Sequence, residues 1–266
     1  MPELTRRLRV PDIKEKKQRG EKIAMLTAYD ATMARLLERA GIEIMLVGDS
    51  LGMVVMGEET TIPVTLDVMI HHVRAVSKGA QKAVIVADMP FLTYQTSVAD
   101  AVANAGRLMR EGGASAVKIE GGHAVLDVAR RLVDIGIPVM GHLGLIPQSV
   151  HQLGGYGRQA GGAEDAEKLI KDALELERAG AFSLVIESIP PELAKRVTGE
   201  LSIPTIGIGA GPHCDGQVLV CYDVFGLYDE FVPPFVKQYA QLGQQLVEAA
   251  GEYADDVRQG KFPAAK

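Results

Sequence analysis

Cysteine is scarce in this chain: Cys214 and Cys221 are the two among 266 residues. They make neither a disulfide framework nor a zinc site, and they read as reduced thiols of a cytoplasmic protein. Long apolar runs are lacking too. The longest stop well short of the ~20 residues that cross a bilayer, so no membrane association is expected. The N-terminal stretch MPELTRRLRVPDIKEKKQRG is charged and has no apolar h-region, which argues against a secretory signal. Positive charge is in deficit, with 28 Lys and Arg against 34 Asp and Glu. Without a basic field, nucleic acid is not an expected partner. No short repeat and no low-complexity linker divides the chain. One domain over residues 1–266 is expected, with a short N-terminal extension and a C-terminal helix after residue 232.

What is present is an alternation of short β-rich runs with longer stretches of helical spacing. Strands are expected at 23–29, 43–49, 82–90, 115–121, 138–144, 183–188, 204–210 and 217–223. Helices are expected at 30–41, 65–79, 97–113, 124–136 and 164–180, several of them ending in Gly. The strand cores are continuous Val, Ile and Leu, as in parallel strands covered on both faces. Eight such units point to an α/β fold, a (β/α)8 TIM barrel. A doubly wound sheet is the alternative, and the lack of a composition break favours closure.

In a parallel barrel the C-terminal strand ends open onto one face, where active sites sit. Polar residues gather at those ends: Asp49 and Ser50, Asp88, Lys118 and Glu120, His142, and Glu187. Three carboxylates from adjacent strands would repel one another, and a hard cation such as Mg2+ offsets that charge. Zinc is less natural with one histidine at a strand end. Each residue also has a plain structural role open to it. An aspartate at a strand end can cap the next helix, Lys118 and Glu120 can be an ion pair, and His142 a core histidine. The glycine-rich LGGYGRQAGG (153–162) is either an active-site loop or a flexible one. GIGAGPHCDG (207–216) resembles a phosphate-cradling turn, but its glycines also suit tight packing, and no Walker lysine follows. Asp215 is as well read as a turn residue.

Read together, the motifs resemble the ketopantoate hydroxymethyltransferase family. The matching pieces include MLTAYD (25–30), VGDSLGMVVMG (47–57), VADMPFLTYQ (86–95), VKIEGG (117–122), GHLGLIPQSVHQLGGY (141–156), VIESIP (185–190) and CDGQVLVCYDVFG (214–226). The resemblance implies a (β/α)8 barrel and Mg2+ held by Asp49, Asp88 and Glu120. It places 2-oxo acid contacts on Asp49, Ser50, Asp88 and Lys118, with His142 lining the pocket, and the proton acceptor on Glu187. The implied reaction passes a hydroxymethyl group from 5,10-methylenetetrahydrofolate to 3-methyl-2-oxobutanoate through an enolate. The glycines between strands seven and eight are the candidate folate contacts. A homo-oligomer is implied as well, a decamer of stacked pentameric rings. One departure stands out: where the family's loop after GGY carries a lysine, this chain has Gly157 and Arg158. Two rivals remain: another Mg-dependent 2-oxoacid aldolase or isocitrate-lyase-like carbon–carbon lyase, and a barrel serving only as a scaffold.

Overall fold

The computed structural model describes residues 4–264. The chain divides into two compact units, Met1–Val218 and Leu219–Lys266. The strands are β1 (Ile23–Thr27), β2 (Ile44–Val47), β3 (Val84–Asp88), β4 (Ala116–Glu120), β5 (Val139–Gly144), β6 (Ser183–Glu187), β7 (Thr205–Ile208) and β8 (Gly216–Leu219). They follow chain order around a closed, parallel barrel, the (β/α)8 architecture expected from the strand count.

The helices are α1 (Val10–Gln18), α2 (Ala31–Arg39), α3 (Leu51–Val54), α4 (Leu66–Gly79), α5 (Val98–Arg107), α6 (Leu126–Asp134), α7 (Val150–Leu153), α8 (Ala163–Arg178), α9 (Pro191–Glu200), α10 (Cys221–Phe225) and α11 (Leu242–Arg258). Their starts follow local chemistry. Asp30 caps α2 by accepting from the amides of Thr32 and Met33, Thr65 caps α4 at Val68, and Ser97 caps α5 at Asp100.

Five differences from the sequence reading stand out. The charged segment before β1 forms α1, which buries Ile13 among the interior barrel residues. The stretch after Pro190 is α9, entered through a proline at its first position, where the missing N–H is harmless. Between β7 and β8 runs a loop with no helix, so GIGAGPHCDG offers no helix N-terminus to a phosphate. A Cβ on Gly207 would lie 3.0 Å from Cys214 Sγ, and one on Gly211 would lie 2.7 Å from Pro191 Cβ, so these glycines permit packing. The strand expected over 217–223 stops at Leu219, and Cys221 to Phe225 turn as α10. In the second unit the helix starts at Leu242, with the preceding residues irregular.

Alternation along each strand sets what faces the barrel axis. Ile44 and Leu46, Val84 and Val86, Ala116, Met140, Val185 and Ile206 share the interior cluster with Ile13. Two residues further toward the C-terminal rim, the same inward rows carry Asp88, Lys118 and then Glu120, His142, and Glu187. The apolar lower layers fill the barrel; the last layer is polar.

Candidate active site

Strand register brings these polar residues side by side. Asp88 pairs with Lys118, Glu120 with His142, and Gly144 with Glu187. Lys118 Nζ lies 3.1 Å from Asp88 Oδ1 and 3.5 Å from Glu120 Oε1. It also lies 3.1 Å from His142 Nδ1. A neutral imidazole would accept from this ammonium at Nδ1 and carry its proton on Nε2, whereas a protonated one would present Nδ1–H to Glu120 Oε1 at 3.3 Å. That Nε2 is 3.1 Å from Glu187 Oε2. The strand expected over 43–49 stops at Val47, so Asp49 and Ser50 lie just past the end of β2, leading into α3. The Asp49 amide donates to Asp88 Oδ2 at 3.1 Å. Gly48 leaves room for this approach, since a Cβ there would meet Ser50 Oγ at 2.9 Å and Asp88 Oδ2 at 3.5 Å. Ser50 Oγ sits 2.9 Å from the Tyr29 hydroxyl.

The electrostatics are lopsided. Asp49, Asp88, Glu120, Lys118 and His142 are all buried, and Glu187 is nearly so. Burial, then the charges of Asp88 and Glu120, hold the Asp49 carboxyl well above its usual range. Burial likewise raises Asp88, with Lys118 pulling the other way. Glu120 is buried too, yet the Lys118 charge and the His142 contact bring it below the ordinary value. Burial disfavours a charged Lys118, but the three carboxylates outweigh it and keep the ammonium protonated. For His142, burial and Lys118 lower the imidazole, while Glu120 and Glu187 carry it above the ordinary value. Asp88 Oδ1 and His142 Nε2 are buried and make no well-aligned hydrogen bond.

Every residue picked from the sequence therefore reaches one rim, with Ser50 at its edge. Asp49, Asp88 and Glu120 do not close into a cage: among the described residues, no three His, Cys, Asp or Glu side chains form a metal-holding group. Asp215 belongs elsewhere. Its Oδ2 accepts from the Thr205 amide at 2.9 Å and pairs with Lys17 at 2.9 Å, a structural role near the starts of β7 and β8. Residues the sequence reading passed over complete the site. Gln148, in the turn after β5, donates from Nε2 to Asp49 Oδ2 at 2.9 Å and from its amide to Glu120 Oε2 at 3.0 Å. Tyr94 receives the Glu120 amide at 3.0 Å. Tyr156, in the glycine-rich loop, feels the charges of Asp49, Glu187 and Glu120 on top of its own burial, which together raise its phenol. That loop is tied to the residue after Glu187, where the Gln159 amide donates to the Ser188 carbonyl at 2.8 Å. Ser188 itself has φ of 49°, a strained conformation for a serine. Gln148 lay inside a quoted motif, but nothing local marks it, because its partners are 28 and 99 residues away.

A family model described as ketopantoate hydroxymethyltransferase matches residues 7–265. The chain belongs to the ketopantoate hydroxymethyltransferase family. A 3-methyl-2-oxobutanoate hydroxymethyltransferase of Moorella thermoacetica is 57% identical over 97% of this chain and 96% of its own length. One from Caldicellulosiruptor bescii is 55% identical, covering 94% of each. Members of the family bearing that name are transferases, and this chain is one. Solved structures add the fold. A phosphonopyruvate hydrolase complexed with oxalate and Mg++ is similar with a TM-score of 0.64 at 12% identity, covering 97% of this chain and 92% of that one. A 2,3-dimethylmalate lyase of the PEP mutase/isocitrate lyase superfamily gives 0.62 at 17%, covering 97% and 90%.

Proposed function

We propose that the chain transfers a hydroxymethyl group from 5,10-methylenetetrahydrofolate to 3-methyl-2-oxobutanoate, giving 2-dehydropantoate in pantothenate synthesis. The observation that carries this reading is the charge imbalance at the rim. Asp49, Asp88, Glu120 and Glu187 share one mouth with one ammonium, Lys118, and Asp88 Oδ1 has no aligned partner. The relatives named for this substrate, matched over nearly their whole length, supply its identity.

The oxygen-rich set suits a divalent cation. Mg2+ keeps several waters and takes one or two carboxylates plus substrate oxygens, so an open rim fits it better than a closed cage would. Asp49, Asp88 and Glu120 are the residues that would hold it. When bound, the cation supplies Lewis-acid polarisation of the 2-oxo acid's carboxylate and keto oxygens.

The remaining roles fall to the chain itself. Lys118 complements the negative charge of the 2-oxo acid, and its three neighbours keep it protonated. Ser50, its hydroxyl held by Tyr29, donates to the substrate carboxylate. Glu187 takes the proton from C3, leaving an enolate, with the His142 imidazole beside it, Nε2 lying 3.1 Å from Glu187 Oε2. Water opens the methylene bridge, and both C–N bonds break to release tetrahydrofolate. The enolate carbon attacks the freed formaldehyde-level carbon. Its oxygen, from the water, takes back the proton held by Glu187 and becomes the hydroxyl of the product. The pterin carries the one-carbon chemistry and the protein orients it. A cavity of about 350 Å³ at Gly121, Gly122 and Gly144, bordered by α8, is large enough for a pterin ring.

The same reading makes the chain a cytoplasmic homo-oligomer, a decamer, working on small molecules without nucleic acid or membrane. No described helix is long and apolar enough to cross a membrane. In the second unit, α11 buries none of its residues and leaves Leu246 and Val247 at 65% and 66% exposure, an apolar surface suited to another subunit. Light scattering checks the assembly. The reaction is tested by assaying 2-dehydropantoate formed from the 2-oxo acid, Mg2+ and methylenetetrahydrofolate. No product with the folate present would overturn the proposal.

A further inference from the structure

Gln148 is 4% exposed and sits in the turn Pro147–Ser149 after β5. All its side-chain hydrogen-bonding capacity is used. Nε2 donates to Asp49 Oδ2 at 2.9 Å and to the Met89 carbonyl at 2.9 Å. Oε1 accepts from the Tyr94 hydroxyl at 2.8 Å and from Gln95 Nε2 at 3.2 Å. The donors on one end and acceptor on the other fix the amide's orientation, since an oxygen facing Asp49 would oppose another oxygen. Its backbone amide binds Glu120 Oε2 at 3.0 Å.

One residue therefore grips a carboxylate past the end of β2 and another on β4, and anchors both to the chain after β3. We propose that Gln148 is a positioning residue that sets Asp49 against Glu120, committing Oδ2 of one and Oε2 of the other. This leaves Asp49 Oδ1 for the ligands of the mouth, while Glu120 Oε1 faces Lys118 Nζ at 3.5 Å and His142 Nδ1 at 3.3 Å. The inference rests on the reading of these carboxylates as holders of a cation and a 2-oxo acid.

The neutral amide is the chemistry this place needs. A glutamate would add a charge to a cluster already rich in carboxylates. A hydrocarbon would strip buried acceptors, the Asp49 carboxylate and the Met89 carbonyl, of a donor. Tyr94 is the backing: its hydroxyl holds the Gln148 carbonyl and receives the Glu120 amide at 3.0 Å.

The test uses the full chain and Gln148→Met, which keeps volume and removes the hydrogen bonds. Calorimetric titration of Mg2+ in the presence of 3-methyl-2-oxobutanoate should show affinity weakened by about 10–100-fold, the loss typical of residues that orient ligands. The circular dichroism spectrum and assembly size should match the wild type. Its crystal structure should show the Asp49 carboxylate swung from its wild-type position. If Gln148→Met fails to fold, Tyr94→Phe serves: it leaves Gln148 in place, loosens its carbonyl, and should weaken Mg2+ in the same direction by less. A folded variant that binds Mg2+ as the wild type does, or whose Asp49 and Glu120 superimpose on the wild type, overturns the inference. If the wild type itself takes up no Mg2+, the cation reading falls. The crystal structure then decides the positioning role alone: displaced carboxylates support it, and unmoved ones end it.

Discussion

Two lysines in this barrel are enclosed by oxygen acceptors, and they differ in one respect. Lys17 donates to the carbonyls of Thr198 at 2.8 Å and Ile203 at 3.0 Å, and pairs with Asp215 Oδ2 at 2.9 Å. Asp215 Oδ2 in turn takes the amide and hydroxyl of Thr205. One cation meets one anion, and each carries hydrogen bonds from its surroundings. At the rim, Lys118 stands between Asp88 and Glu120, with Asp49 adding its charge. Anions outnumber the cation, Asp49 and Asp88 are held above their usual range, and one Asp88 oxygen has no aligned hydrogen bond. The balanced cluster locks the fold. The unbalanced one stores a demand for positive charge that an incoming ligand can meet.

The comparison breaks if chemistry and stability fail to separate between the two clusters. The largest effect is expected at Glu187. Glu187→Gln keeps the shape and removes the carboxylate proposed as the base, so kcat should fall by about 10²–10⁴-fold with KM and melting temperature little changed. Loss of deuterium exchange at C3 of 3-methyl-2-oxobutanoate, measured without folate, would locate the defect at proton removal. A variant that exchanges at the wild-type rate would take the base role from Glu187. At the other cluster, Lys17→Met leaves Asp215 without its ammonium. The unfolding free energy should drop by about 2 kcal/mol in urea titrations, less than for a fully buried pair because both side chains keep some contact with solvent, while kcat/KM of the folded protein stays unchanged. A loss of activity without a loss of stability would blur the distinction.

That distinction was partly legible in the sequence. The eight strands showed because their cores are unbroken runs of β-branched and aliphatic residues. The rim residues showed because period-two alternation carries a polar side chain to the end of each row, as with Lys118 and Glu120. Ends were less legible. The ladder stops at Val47, so Asp49 and Ser50 lie in the turn into α3, and a run such as VCYD carries enough apolar residues to pass for strand while turning as helix. Helix α9 was hidden by its proline entry and α1 by its charge. The role of Asp215 turned on Thr205 and Lys17, and that of Gln148 on Asp49 and Glu120. Such roles follow from partners the fold assembles, not from neighbours in the chain.

A third lever lies in the second unit. Asp223, in the first turn of α10, is 7% exposed, and burial pushes its carboxyl up to about 6 from an ordinary 3.8. The folded state thus binds more protons than the unfolded state between those values. This contribution to stability is fully present below about pH 4 and is lost as pH rises through about 6. The rise from 3.8 to about 6 sets a ceiling of about 3 kcal/mol, and roughly 2 kcal/mol is expected after relaxation. Asp223→Asn should therefore gain on the wild type as pH rises from 4.5 to 8 in urea titrations. A gap that does not change with pH would show that the acid is ionised throughout.

The smallest effect is the most direct probe of the imbalance. Asp49 is buried, and its charge is disfavoured first by that burial and then by Asp88 and Glu120. Asp49→Asn removes the charge while its side-chain oxygen can still accept from Gln148 Nε2. Without metal, at pH 8, the variant should be more stable than the wild type by about 1 kcal/mol, because a strained, functional group has been relieved. With saturating Mg2+ and 2-oxo acid the order should invert. The wild type gains by RT ln(1 + [L]/Kd), about 2.7 kcal/mol at a hundredfold excess over Kd, and the variant forfeits most of that gain. Thermal melts in EDTA and in Mg2+ read both halves at once. A variant less stable in EDTA, yet still stabilised by Mg2+, would mean that Asp49 supports the fold in the way Asp215 does, and the two clusters would no longer differ in kind.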